Sequence, residues 1–599
     1  MRCRSVAALP ALLFSLAGAV GCGAPPPATA PAPPIVAAPP VTTAAAPLPP
    51  TTNLGSPGTD DASLGQLDFP ITGSPECQRR FREGMLALHS FLYDQAHESF
   101  TAALAADPRC ALAAWGDAMT YDHPIWHERD LTKARAALAR ATGEQELTAK
   151  ERGYLATART LFASENLKDA HAAWLAAAAA MHRDYPADDE VALQHALALI
   201  AVYGYDPAHV REQMEAGAIA LGVLQRRPDH PGAAHYVIHA FDNREHAILA
   251  LPAARTYARI APAASHALHM PSHIFVQLGM WRDVVPSNER AFAASVAWEK
   301  AHGHTASKYD WHSYSWLVAA HLELGQPAAA RKLIDEAAAL LVAMKDDTGG
   351  FRAGYVDMVV DYVTQTGRWG DVEALVAPVM APALDEGTEG TGPIACAAHA
   401  PGAGGEVRLP GALVARLVAN ALRAEVAIRA GDEATAVKRV ADTKAVRGQM
   451  APWSKMFPPD FTARMDAKAE VLLARAHAGA KPGAAAQKKV IDALEKLAQL
   501  EVGKAIAGPV AERTTREVLG ATLMTAGKPK EALSQLEKDL EARPNRALAL
   551  LGAARAAKAA GEAEKARGHY AALAELWSGA DADLPGLAEV RAGAAGTAP

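Results

Sequence analysis

The chain has 599 residues, 50% of them apolar and only 6% aromatic, with a formal net charge of −7. That length admits several domains or one long repeat array. The Ala-rich, aromatic-poor balance favours close-packed helices over sheets, and the acidic balance excludes a dedicated nucleic-acid surface.

Residues 1–21 read as a targeting segment: "MRCR" is basic, "SVAALPALLFSLAGAV" is apolar, and "AVGC" closes it. The pattern resembles a bacterial lipoprotein signal, although Ala19 stands where such signals usually carry Leu. The resemblance implies lipid on Cys22 and a membrane anchor on the periplasmic or outer side of the cell envelope. The alternatives are a plain secretory signal or a short membrane helix, but the apolar run is short and contains Pro10. Residues 22–70 are Pro/Ala/Thr-rich, cannot bury a core, and are expected to form a disordered tether. Beyond Cys3 and Cys22, the chain keeps Cys77, Cys110 and Cys396. A Cys77–Cys110 disulfide fits an oxidising compartment, but spacing alone does not establish it.

A 34-residue period organises the body. Gly84, Ala96, Phe100, Ala103 and Pro108 open it. Gly520, Ala532, Leu536 and Pro544 repeat the spacing near the end, followed by Gly561, Ala566, Tyr570 and the larger Leu573. Between them, Pro228 and Pro262 are one period apart, as are Ala216, Ala250 and Val284. Turn cores of the form G-x-x-x-x-A/V stand at Gly325/Ala330, Gly367/Val372 and Gly431/Ala436. These residues resemble tetratricopeptide repeats, with small residues at positions 8, 20 and 27 and Pro near 32. The reading is an all-α solenoid of stacked antiparallel helix pairs. It divides into an N-terminal array at 71–345 and a C-terminal array at 346–599. A Gly-rich loop near 385–411 and a shorter insertion at 296–311 interrupt the register. The runs "HYVIHAFD", "EHAILALPAARTYARIAP" and "HALHMPSHIF" further resemble a family of bacterial tetratricopeptide-repeat lipoproteins with His-containing central repeats. That resemblance implies a fold and no activity.

The central repeats carry a ladder of imidazoles. His235 and His239 are four apart, as are His269 and His273, and the two pairs are separated by 34 residues. Counted from Gly279, Trp281 and Val284, they occupy positions 5 and 9 of their repeats. His266 and His312 fall at position 2, Asp242 at 12, and His89 and His123 at 13. Asp357 and Asp361 fall at 5 and 9 of a later repeat. Periodicity shows only that such residues share a face. The family resemblance implies that this face is a concave groove.

Residues four apart on a helix lie about 5–6 Å apart at Cβ, and packed helices about 8–10 Å apart. His235, His239, His269 and His273 could therefore meet at one divalent ion, zinc or iron. Pro271 leaves the entry open: a helix starting near His266 is kinked there, whereas one starting at Pro271 leaves His269 ahead of it. "HYVIH" lacks the Glu of the HExxH zinc-protease motif, and there is no GxSxG and no Gly-rich phosphate loop. Two functional classes follow. One is a membrane-anchored scaffold whose groove holds a protein or peptide, including an acidic peptide bound by imidazoles. The other is a metal-binding protein or metalloenzyme. His195, His209 and His321 are read as structural or exposed, and Trp115, Trp281 and Trp369 mainly as packing.

Overall fold

In the first hairpin the helix Pro75–His89 packs on Tyr93–Ala106. A β-carbon on Gly84 would lie 2.6 Å from Phe100 Cε1, so the missing side chain sets the helix separation. Gly520 does the same against Leu536 Cγ, at 2.7 Å. Turn glycines such as Gly279 and Gly325 stop the first helix of a pair in the left-handed region, at φ +68° and +70°. Starts are fixed by side chains: Ser74 accepts from Cys77 N–H, and Thr148/Glu151 and Thr514/Glu517 form reciprocal capping boxes.

This computed structural model describes residues 63–204, 206–344, 350–380, 411–451, 461–501 and 513–596. The targeting segment, Cys22, Cys396, most of the tether and most of the Gly-rich stretch lie outside the described residues; Gly411 opens the helix Gly411–Arg429. The architecture is an all-α solenoid of antiparallel helix pairs. Among the described residues, its strands are one small hairpin, Asp122–His123 against Glu128–Arg129. No helix among the described residues is long and apolar enough to cross a membrane. Cys77 and Cys110 are joined by a disulfide, with Cα atoms 6.3 Å apart.

The two expected arrays share a core. Phe91, Tyr236, Phe241, Tyr257 and Trp316 belong to the same apolar cluster as Leu550, Leu573 and Trp577. The edges of the central repeats receive the C-terminal ones directly. Arg244 Nε donates to Glu541 O at 3.0 Å, Trp281 Nε1 to Asn545 O at 3.0 Å, and Trp577 Nε1 to Glu323 O at 3.2 Å. Arg546, 1% exposed, lies between Glu517 and Glu323. The chain thus closes on itself around the repeats that carry the imidazoles.

Candidate metal centre

The helix Pro231–Ala240 starts with Pro at its first position, and the His230 side chain accepts from Ala233 N–H. Every residue of this helix is buried, which carries His235 and His239 inward. The next repeat resolves the Pro271 question. Helices Ser265–His269 and Pro271–Gln277 are joined through Met270, which keeps helical angles (φ −51°, ψ −35°). Pro271 lacks the N–H that would continue the ladder, so the axis breaks there with His269 and His273 on either side. His312 follows in the first turn of Trp311–Glu323, whose start is capped by Asp310.

The imidazoles gather as two threes: His235, His239 and His266, and His269, His273 and His312. Each triad takes positions 5 and 9 of one repeat and position 2 of the next. The four rings of His235, His239, His269 and His273, expected to meet at one point, are instead divided between the two triads, because position 2 of the following helix approaches more closely than its positions 5 and 9. In the first triad His235 Nε2 meets His239 Nε2 at 3.0 Å and His266 Nε2 at 3.1 Å. In the second, His269 Nε2 and His273 Nε2 are 3.1 Å apart. His235, His239 and His269 are 0%, 3% and 1% exposed, so these rings sit in the core and do not line an open groove. His266, His273 and His312 are partly exposed.

For His235, His269 and His273 a second hydrogen bond fixes the tautomer. His235 Nδ1 lies 2.7 Å from the His89 carbonyl, a pure acceptor, so Nδ1 carries the proton. His269 Nδ1 donates to Asn288 Oδ1 at 2.7 Å. The Asn288 amide orientation is set by its own donation to Ser272 Oγ and Val284 O, both at 2.8 Å. His273 Nδ1 donates to Asp242 Oδ2 at 2.7 Å, and Gln277 Nε2 donates to the other oxygen. In their neutral forms these rings therefore present bare lone pairs at Nε2. His269 and His273 aim two such lone pairs at each other, with no proton to share. Burial pushes the imidazoles of His235, His239, His266 and His269 well below their ordinary values, and neighbouring imidazoles add to the effect. An added proton is thus a poor remedy. A metal ion is a good one: bonds of about 2.0–2.1 Å meeting between a right angle and a tetrahedral angle place their nitrogens about 2.9–3.4 Å apart.

The same reasoning applied to a third group gives the opposite result. His230 Nδ1 accepts from Ala233 N–H, so its Nε2–H donates to Glu190 Oε1 at 2.9 Å. His89 Nε2 donates to Glu190 Oε2 at 2.9 Å, and Tyr236 O–H donates to His89 Nδ1 at 3.0 Å. Every polar atom named here is matched. Burial raises the Glu190 carboxyl, but the two imidazoles outweigh it and hold it well below the usual carboxylate range. This group is a buried brace that positions the carbonyl on which His235 rests. Gly232, at position 2 of its repeat where later repeats carry His, leaves room for the His89 ring; a β-carbon there would collide with Nδ1.

Of the residues predicted to bind, His89 serves in this brace, and Asp242 orients His273 while lying outside both triads. His123 stands apart on the small hairpin, stacked on Tyr93 at 4.0 Å. The sequence reading did not single out Glu190, His230, Tyr236 or Asn288. Asn288 had a detectable signal: it stands at position 24, where Phe100 and Leu536 are apolar.

No family model and no curated protein match the chain. Among solved structures it is similar to human IFIT1, solved as a dimer with PPP-AAAA, at 12% identity and TM-score 0.31, over 82% of this chain and 89% of that one. It is similar to yeast Tom70 at 10% identity and TM-score 0.30, over 82% and 90%. The Cut9–Hcn1 hetero-tetramer of the APC/C matches at 14% identity and TM-score 0.32, over 80% and 76%. At these scores none of them carries a function to this chain.

Proposed function

We propose that this chain is a transition-metal-binding protein whose two His triads each hold one ion through neutral imidazole nitrogens. The observation that carries the reading is the pair of bare Nε2 atoms of His269 and His273, 3.1 Å apart, with Nδ1 of each ring committed to Asn288 or Asp242. An Asp–His–metal relay of this kind is how proteins orient metal-binding imidazoles. Three nitrogens leave an open position on each ion, and imidazole suits zinc, iron, copper and nickel. The test is elemental analysis of full-length protein expressed without a His tag and dialysed. About two ions per chain are expected. His269→Ala/His273→Ala should lower that to about one, as should His235→Ala/His239→Ala. Folded protein that stays metal-free even after titration with zinc, iron and copper would refute it.

A scaffold role is the second reading. Ile248 and Leu249, neighbours on one helix, are 58% and 43% exposed, and such an apolar pair suits a protein partner. The version in which cationic imidazoles hold an acidic peptide is disfavoured, because burial keeps the rings neutral. Loss of a co-purifying protein in Ile248→Glu/Leu249→Glu would support the scaffold. For the envelope location, lipid on Cys22 remains our proposal, and the Cys77–Cys110 disulfide is compatible with an oxidising compartment. Unchanged membrane fractionation of Cys22→Ala would count against it.

A further inference from the structure

We infer that the two triads work as a single dinuclear centre in which two ions share one small bridging anion. The inference rests on the metal-binding reading and goes beyond it, since two ions could also sit in independent sites. Three observations carry it. The first is proximity. His266 of one triad and His269 of the other have ring centroids 6.3 Å apart, and His239 and His273 have theirs 6.4 Å apart. These are neighbouring rings on the break between Ser265–His269 and Pro271–Gln277 and on the helix beside it.

The second is charge. As ligands, neutral imidazoles bring no charge to a metal, and Asp242 is a carboxylate hydrogen-bonded to one of the six, His273. Two divalent ions placed here would repel one another in a poorly solvated interior. Each has an open position, and an anion set between them fills both positions while offsetting the repulsion. The third is a donor. The Trp316 ring lies 4.7 Å from His273 and 4.8 Å from His269, and its buried indole N–H has no acceptor among the described residues. A buried donor of this kind is suited to an anionic ligand.

The ligand class is a small, linear or monatomic anion such as hydroxide, azide or cyanide. The partly exposed rings are His266, His273 and His312, which gives the bridging position a route to solvent. Phe91 and Trp126 flank His266 at 5.7 and 5.9 Å, and Trp316 flanks the other side, so the walls admit a slim ligand.

The experiment loads the full chain with two equivalents of Cu(II) and titrates azide, reading metal content, the electron paramagnetic resonance signal and optical binding. The expected results are two ions per chain, a spin intensity well below that of two isolated ions, and one azide per ion pair. His269→Ala/His273→Ala should leave one ion with a full isolated signal and at least about tenfold weaker azide binding. Trp316→Phe should keep both ions and weaken azide several-fold. Two bound ions with full independent signals, or azide binding that survives removal of either triad unchanged, would overturn the dinuclear centre and leave the metal-binding reading standing. A single bound ion would also overturn it. Absence of metal uptake would overturn both.

Discussion

Replacing Arg546 by Met gives a quantitative test of how the C-terminal repeats are held. The guanidinium donates from Nε and Nη2 to the two oxygens of Glu517, at 3.1 and 3.2 Å, and Nη1 lies 3.2 Å from Glu323 Oε1. All three side chains are 1% exposed. Met fills similar volume but leaves two carboxylates buried without their cation. Breaking such a pair from one side costs about 3–5 kcal/mol. The loss should appear at the junction, so the assay is hydrogen exchange at Ala547, whose N–H donates to Glu323 Oε2 at 2.7 Å. Protection there should fall by roughly two to four orders of magnitude if opening stays local. The effect has a signed pH dependence. Burial already raises the Glu323 carboxyl and Arg546 opposes that rise. Without Arg546 the carboxyl moves further up and takes a proton more readily, so the deficit shrinks as pH falls. Glu323→Gln/Arg546→Met should recover part of the loss. Ala547 protection within about threefold of the parent at pH 8, or a deficit that grows on acidification, would refute this reasoning.

Gly232→Ala should push the His89 ring away and move the carbonyl under His235, lowering metal content at the first triad while sparing the second; elemental analysis of that variant in the His269→Ala/His273→Ala background checks it. Reducing the disulfide, or Cys77→Ser/Cys110→Ser, removes a crosslink across 33 residues and should cost about 3–4 kcal/mol, measured by denaturant unfolding followed at the first repeats. Burial, with His182 and Arg183, lowers the His195 imidazole from 6.5 to about 4. The unfolded chain then binds the extra proton between those values. This stability is complete above pH about 6.5 and lost as pH falls toward 4, by roughly 2 kcal/mol after allowing for solvent screening; His195→Asn should flatten the melting-temperature profile over that window.

The fold was legible because its signals are local. Gly84, Phe100, Gly520 and Leu536 declare helix packing at fixed offsets, and Gly279 and Gly325 declare where helices stop. The imidazoles were legible as a set for the same reason, one period placing His235/His239 and His269/His273 alike. Their grouping was not. Whether His266 joins the triad of the preceding repeat or its own depends on the angle between adjacent pairs, and no short window contains that angle. Pro271 marked a break without saying that both halves would still aim their rings at one point. The brace was invisible because Glu190 and His89 are 101 residues apart and nothing local links them. The closure of the chain was equally hidden: nothing local to Asn545 and Arg546 points to Trp281 and Glu323, the partners that give them a role.

The self-closure also sets an order of events during synthesis. Glu323 waits for a partner 224 residues downstream, and Arg244 for one 297 residues downstream. At about 5–20 residues per second, translation leaves the central repeats without their C-terminal cover for roughly 10–60 s. Closing a loop of that length costs on the order of 5 kcal/mol of chain entropy before any docking contact repays it. The early repeats can form from neighbouring segments as they appear, whereas the shared core must remain incomplete, with apolar edges around Trp281 and Leu324 uncovered, until nearly the whole chain exists. A protein read as a row of quasi-independent units should therefore mature in two stages, a fast local one and a slow terminal one, and nascent chains ending before residue 545 should depend on chaperones while full-length chains do not.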